Sequence, residues 1–564
     1  MNEKRRAWHS ELTRYHWFVL IVCTLGWLFD CLDQQLFALA RKPAVAELLD
    51  VAEAVPAVDE YSGYSTSILL IGWATGGIFF GIMGDKIGRA RTMVWTILVY
   101  SVFTGLCGIS QTVWDFIFYR FMTGLGVGGQ FAVGVALVAE VMPDRARPRA
   151  LGLLQAVATV GNVSAAFIAM GFGQLEEAGI LPHSAWRWMF AVGILPALLA
   201  IVVMRRLKEP DRWQKAKAES KATHHKTGSL AELFGDRRWR GRAIMGMLLA
   251  SAGVIGLWGI GFFSIDLNRS VFRKIAQQKA RDAGQAKQDR SFLLMLVSSP
   301  KLLDQAGKSV KPRDLVSLDA ADKDPQLIYA AALSLRSAGK PVLVDSVLGV
   351  LDLPAEGRPA QSPEQHRRRA QYLRGQTELQ PQASLSKHVA RITARQKEIG
   401  GEVSRWGATT SMLFNVGAFL GIYLFAVVTQ RIGRRAAFAL FFLAAFFSTA
   451  IAFMYMNDAV DVFWMVPLMG FCQLSLFGGY AIYFPELFPT RLRSTGISFC
   501  YNTGRFAAAL GPLALGLLTS VVFTEAKGYE EPMRYAGLAM CSVFLLGIVI
   551  LLFAPETKDQ PLPE

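Results

Sequence analysis

Apolar residues in this chain come in blocks of about twenty, separated by short stretches rich in Lys and Arg. About twenty residues is the length at which an α-helix crosses a hydrocarbon core of ~30 Å. Twelve blocks have this character, at 17–38, 62–84, 92–110, 116–142, 150–172, 186–204, 243–265, 406–429, 436–456, 462–484, 496–522 and 533–554. A lipid-exposed backbone must satisfy its own hydrogen bonds, so each block is expected to be a helix. The predicted fold class is an all-α polytopic membrane protein with twelve transmembrane helices.

Two short patterns divide the twelve spans into two sixes. GDKIGRAR at 84–91 follows span two, and QRIGRR at 430–435 follows span eight. EVMPDRAR at 140–147 closes span four, and ELFPTRLR at 486–493 closes span ten. Both pairs are separated by nearly the same offset, Gly88 to Gly433 and Glu140 to Glu486. Two unrelated bundles would not share it, so the chain is read as a six-span unit used twice in parallel orientation. That arrangement puts a central cavity between two rocking halves. The expected organisation is a first six-helix bundle at 1–204, a basic linker at 205–242, helix seven at 243–265, an insertion at 266–404, and the rest of the second bundle with its tail at 405–564.

The insertion is too polar to enter lipid. It carries helix signals: Asp324-Pro325 opens a segment that ends at Ala338-Gly339, Ser362-Pro363 opens another, and 384–399 runs toward span eight. The expectation is a small, mainly helical subdomain outside the membrane, with a disordered insertion as the alternative. Its charge of about +8 would concentrate organic anions at the entrance, within the ~8 Å reach that salt allows. An accessory role in solute capture or partner docking follows.

Charge supplies orientation. The formal net charge of +15 raises nucleic acid as a partner, but the basic residues sit in alternate short loops. They include Lys86, Arg89 and Arg91, Arg145, Arg147 and Arg149, a run from Arg205 to Arg242, Arg431, Arg434 and Arg435, and Arg491 and Arg493. This is the positive-inside pattern, so nucleic acid is excluded, both termini are expected in the cytoplasm, and the protein is placed in the cell membrane as a multi-pass monomer. The basic linker is expected to lie on anionic lipid headgroups. A cleaved signal peptide ending near Ala40 is a poor alternative, because two aspartates and two glutamines interrupt its apolar stretch. The six cysteines all fall within spans without a CxxC pair, so neither disulfide nor metal site is expected.

Ionisable residues deep in spans are costly and mark function by default. Asp30 and Asp33 lie in span one, Arg120 early in span four and Arg505 in span eleven, whereas no histidine falls in mid-span. The two aspartates share one helical face. Each costs roughly 2.5–3.5 kcal/mol at a helix centre, so the pair needs a wet cavity or a cation, and close carboxylates favour reversible protonation. The plainer reading is that one of them only locks a neighbouring helix. Gln34 and Gln35 extend the polar patch. Arg505, near Asn502, either meets an aspartate or waits for an anionic solute. Trp73, Tyr480 and Tyr483 are candidates for lining the cavity, although aromatics in spans more often face lipid or another helix.

Gly124 to Gly129 spells GxGxxG, but inside a hydrophobic span it signals close helix packing, as do the GxxxG spacings at Gly72–Gly76, Gly77–Gly81 and Gly417–Gly421. No HExxH, P-loop or GxSxG is present, and no cofactor is expected, so an enzyme has no residues to stand on.

The motifs resemble those of the major facilitator superfamily. GDKIGRAR at 84–91 resembles its loop signature, RFMTGLGVG from Arg120 its span-four motif, and KEPDRW at 208–213, PELFPTR at 485–491 and PETK at 555–558 the branch of sugar porters, aromatic-acid:proton symporters and nicotinate carriers. The spacing Asp30-x-x-Asp33 is closer to the acid and nicotinate carriers. Three departures stand out: Gln130 where many organic-acid carriers have Glu, Gln430 in place of the acid of the second loop signature, and the insertion. The resemblance implies a charge-relay latch at Asp85, Gly88 and Arg89, with either Glu140 and Arg147 or Glu486, Arg491 and Arg493 as partners; Arg120 and Arg434 are added as gating residues, and helix capping and topology alone are the plainer reading. The implied function is proton-coupled symport of a small organic anion such as an aromatic acid, nicotinate or a sialic acid. Asp30 and Asp33 would carry the proton, and Arg505 would meet the carboxylate. A neutral sugar or polyol porter and a non-transporting sensor on the same scaffold are the alternatives.

Overall fold

The computed structural model describes residues 8–50, 56–223, 227–257, 381–508, 518–523, 527–528 and 531–563, with single positions between 267 and 279. The chain forms two compact units, Met1–Leu267 with Thr409–Glu564, and Asn268–Ala408. Among the described residues all regular structure is helical. Eleven helices are long and apolar enough to cross a membrane, among them Arg14–Leu48, Glu60–Ile87, Arg89–Cys107, Val113–Val141 and Arg147–Glu176 in the first half. The predicted span at 496–522 is described as helix over Arg493–Ala508 and Leu518–Val522.

Local chemistry places the helix starts. Thr13 and His16 form a reciprocal cap that opens span one, and Thr112 with Asp115 does the same for span four, at 3.0 and 3.1 Å. Between spans two and three the chain turns at Gly88 with φ of +122°, and between spans eight and nine at Gly433 with φ of +91°. Side-chain-bearing residues avoid that region, which explains why the repeat retains glycine at both positions.

The repeat extends to helix packing. Gly72 and Gly76 of span two lie against the carbonyls of Phe121 and Leu125 on span four, so closely that an added Cβ would collide. Gly124 and Gly128 return the contact onto Leu69 and Trp73, while Gly126 admits the backbone of Tyr100 from span three. In the second half Gly417 and Gly421 of span eight meet Pro467 and Phe471 of span ten, and Gly470 meets Phe414. Without a hydrophobic drive between helices in lipid, this close backbone approach supplies the dispersion contact that holds a bundle together. The halves meet where span two runs along span eleven and span five along span ten.

In the second unit the helix signal at 384–399 falls within the helix Pro381–Ile432. Phe272 stacks on Trp406 at 4.3 Å, and Lys279 pairs with Glu402 at 2.9 Å. The expected segments opening at Asp324 and Ser362 lie outside the described residues, as does most of 266–404.

Candidate functional site

Two charged constellations stand in the first unit. One lies at the face where the basic loops gather. Asp85, in the last turn of span two, reaches across to the first turn of span eleven. There it accepts from Ser494 N at 3.2 Å, Thr495 N at 2.8 Å and Thr495 Oγ1 at 2.6 Å. A carboxylate at this position satisfies helix-end donors and faces the positive end of the helix dipole. Arg89 pairs with Asp85 at 2.9 Å and with Glu140 at 2.8 Å, and donates to the Thr490 carbonyl at 2.8 Å. Arg493 meets the same Glu140 at 2.9 Å. Two acids and two guanidiniums thus form a closed, charge-balanced cluster, fully buried, that joins the halves. Burial of charge is tolerable here because each member is both paired and hydrogen-bonded.

The linker docks on this cluster. Where the sequence reading sets it on headgroups, Trp213 is buried and donates to the Asp85 carbonyl at 2.9 Å, Gly228 N donates to the Arg491 carbonyl at 3.1 Å, and Arg491 pairs with Glu232 at 3.3 Å.

Repeat symmetry shows in the glutamates of the KEPDRW and PETK motifs. Glu209 accepts from the N–H groups of Arg89, Ala90 and Arg91 at 2.6, 3.2 and 3.1 Å, capping span three. Glu556 accepts from Arg434 N at 2.9 Å and Arg435 N at 3.1 Å, capping span nine. Burial pushes the Glu556 carboxyl up, but the backbone N–H groups of Arg434, Lys558 and Arg435 outweigh it and hold it below the usual range. Arg434 pairs with Glu486 at 2.8 Å, as Arg89 does with Glu140. The shared offset of these glutamates was the available signal.

The symmetry fails at the latch. Gln430 stands where the repeat would put a second Asp85, and its Nε2 has no hydrogen bond among the described residues. Arg147 bonds Ala139 O at 2.9 Å and pairs with Asp144 in its own half. The cross-half clamp is one-sided.

The second constellation lies mid-membrane. Asp30 and Asp33 are both buried. Asp33 meets Arg120 at 3.4 Å, and Arg120 donates to Cys107 Sγ at 3.0 Å and lies over Phe190 at 4.7 Å and Phe37 at 5.5 Å. Arg120 therefore sits beside the aspartates, away from the latch. Among the described residues Asp30 makes no hydrogen bond of ordinary geometry on either oxygen. Its electrostatic neighbours include Asp33 and the Tyr100 hydroxyl.

Arg505 stands apart. It is 1% exposed, donates to Asn502 Oδ1 at 2.8 Å and to the Tyr501 carbonyl at 2.9 Å, and has no acid within ion-pair distance among the described residues. Its guanidinium lies between the ring of Trp73 from span two at 4.1 Å and that of Tyr501 at 4.4 Å. Cation–π contact with two rings holds the charge in place of a carboxylate. Nε makes no hydrogen bond. Asn502 packs against Gly77 across the seam between the halves. Phe131 of span four stacks on Tyr501 at 4.0 Å.

A family model of the Major Facilitator Superfamily matches residues 24–273 and 393–564. The chain belongs to that superfamily. The unmatched stretch between these segments lies within the expected insertion. Among its relatives, a "putative metabolite transport protein" of Haemophilus influenzae is 34% identical over 44% of this chain and 59% of its own length. A niacin transporter of Acinetobacter baylyi is 33% identical over 36% of this chain and 43% of its own. The aligned part thus spans about half the length of these relatives. The fold is similar to that of a solved proton:xylose symporter, with a TM-score of 0.56 at 15% identity, covering 97% of this chain and 98% of that one. These relatives are transport proteins rather than enzymes.

The remaining expected site residues of this superfamily member fall in several places. Gln35 Nε2 donates to Ser411 Oγ on span eight at 3.4 Å, joining the halves, and Gln34 lies one residue away with its Nε2 free of hydrogen bonds. Tyr480 donates to Leu249 O at 2.8 Å and Tyr483 to Pro555 O at 2.7 Å. Both rings are buried within the second bundle, with Tyr480 stacked on Phe484 at 5.2 Å. The six cysteines carry free thiols.

Proposed function

We propose that the chain is a secondary transporter that moves a small organic anion by alternating access, driven by a proton. The observation that carries this reading is the separation of the deep charges. Asp33 already has its cation in Arg120, so Arg505, at the seam between the halves, is left for an anion from outside the protein. Among the described residues its Nε makes no hydrogen bond, which suits a carboxylate approaching the side of the guanidinium. Asp30, buried with only the Tyr100 hydroxyl beside it, suits a group that cycles between carboxylate and acid. Substrates in relatives' names support an acid: niacin, cis,cis-muconate and benzoate. The basic loops would face the cytoplasm, and the buried latch there would close the inner mouth while the solute site faces out.

The test is uptake into proteoliposomes under an imposed pH gradient. Asp30→Asn with Asp33→Asn should abolish gradient-driven accumulation, and Arg505→Gln should weaken affinity for benzoate or nicotinate by at least about tenfold, the loss of one charge-assisted pair. Full accumulation by the double Asn protein would sink proton coupling through span one. Unchanged affinity in Arg505→Gln would point instead to a neutral solute.

A further inference from the structure

The first bundle contains a polar feature that the solute site does not use. Spans one, three and four bury Thr24, Trp27, Asp30, Tyr100, Thr96 and Gln130, each at least nine-tenths covered. The Thr96 hydroxyl lies 2.6 Å from Gln130 Oε1 and 2.8 Å from the Met93 carbonyl, and has one proton to give to either. Otherwise Thr24 Oγ1, Trp27 Nε1 and Gln130 Nε2 make no hydrogen bond among the described residues, and the Asp30 carboxylate has only the Tyr100 hydroxyl beside it, outside close hydrogen-bond geometry. An orphaned buried polar atom costs ~1–3 kcal/mol, and three of them beside a carboxylate so poorly served would be a heavy load on one bundle. Proteins meet such demand with internal water, each molecule making about three hydrogen bonds to groups of this kind.

Helix geometry lines these groups up. On span one, Asp30, Trp27 and Thr24 follow at intervals of three, along one face that descends toward the basic end. Tyr100 and Thr96 descend span three at an interval of four, followed by Thr92, whose hydroxyl donates to the Gly88 carbonyl at 2.8 Å beside Arg89 of the latch. Two glycines bring the lines close together. Gly26 lets the Gln130 amide lie against the backbone of span one, and Gly126 brings span four onto the backbone of Tyr100.

We propose that this seam is a hydrated proton path inside the first bundle, with Tyr100 and the Thr96–Gln130 pair as relay groups. It lets the proton carried on Asp30 reach the basic face without crossing the solute site at Arg505. The inference rests on the proton-coupled reading above. In the step itself the carboxyl O–H of Asp30 breaks as an O–H bond forms on a seam water, Asp30 returns to carboxylate, and the excess proton leaves along the chain of O–H and N–H groups. No redox partner is needed. The charged and titratable groups that meet the aspartate pair are Asp33 and Cys31 on its own helix, Tyr100 and Cys107 on span three, Arg120 on span four, and Arg505 on span eleven through Cys31.

Tyr100→Phe, Thr96→Val and Gln130→Leu test the path in the full chain in proteoliposomes, with benzoate and nicotinate as probes. Gradient-driven net uptake should fall at least about tenfold, equivalent to ~1.4 kcal/mol on the barrier, while solute counterflow at equal pH, which needs no net proton release, stays within about twofold. Net uptake at the parent rate in the Tyr100→Phe, Gln130→Leu protein would overturn the path, and so would equal loss in both assays. Accumulation by the Asp30→Asn, Asp33→Asn protein marks failure of the underlying reading instead, and with it the relay has no proton to carry. A second measurement needs no variant: radiolytic hydroxyl footprinting labels side chains beside bound water. Tyr100 and Trp27 should be modified despite their burial, whereas Tyr480, buried and bonded to Leu249 O, serves as the dry reference. A Tyr100 as unreactive as Tyr480 would refute the seam.

Discussion

Asp85→Asn isolates the cross-half clamp, because the substitution keeps the shape and removes only the charge. Contacts that persist when the halves separate do not shift the equilibrium between closed and open states. The Arg89 pair belongs to that group, since both residues sit in the first half, and Arg89 also keeps Glu140. What is lost on opening is the set of bonds from Ser494 N, Thr495 N and Thr495 Oγ1. Charge-assisted bonds are worth ~1.5–3 kcal/mol against about 1 for neutral ones, and an amide can accept only some of the three. Including the loss of a carboxylate at a helix N-terminus, the closed state should weaken by ~2 kcal/mol, which is about 30-fold in the open population. Ser498 is buried opposite Gly81 on span two, within this interface. In detergent, alkylation of Ser498→Cys, followed by peptide-resolved mass spectrometry, should therefore run ~30-fold faster in the Asp85→Asn background. Gln430→Leu, which removes an amide nitrogen with no bond to lose, should leave the rate unchanged. Labelling within about twofold of the parent in Asp85→Asn would show that the clamp does not govern closure.

Three further outcomes are expected. Tyr480→Phe should lower thermal stability by about 0.5–1.5 kcal/mol through loss of the Leu249 bond while leaving solute affinity intact, and a large affinity change would return this tyrosine to the cavity. Glu556, held below its ordinary range by the span-nine N–H groups, contributes stability that is full above that range and is lost as pH falls through it, so the Tm gap between parent and Glu556→Gln should narrow from pH 7 to about pH 4. Replacing 270–400 with a Gly/Ser linker should preserve the maximal rate of uptake and change only apparent affinity or assembly; abolished transport in a protein that folds and reaches the membrane would make the insertion part of the cycle.

Much of this molecule is legible along the chain. The length of the apolar blocks, the common offset of their closing motifs and the basic loops specify a twelve-span, twice-used unit, because crossing lipid and satisfying the backbone are constraints that each segment meets by itself. The glycine spacings announced close packing for the same reason: GxxxG is a property of one helical face. Deep charges were also visible, since their cost does not depend on partners. Their partners were not. Which acid meets which guanidinium depends on how each helix is rotated and which helix stands beside it, and neither is written in local periodicity. So Asp33 goes to Arg120 while Arg505 rests between Trp73 and Tyr501, and the hydroxyls of Tyr480 and Tyr483 are taken up by carbonyls of the second bundle. The clamp shows both sides of this division. Asp85 and the missing acid at Gln430 were readable from the repeat, but only the tertiary structure brings Asp85 to the first turn of a helix more than four hundred positions later, where unpaired N–H groups need a carboxylate.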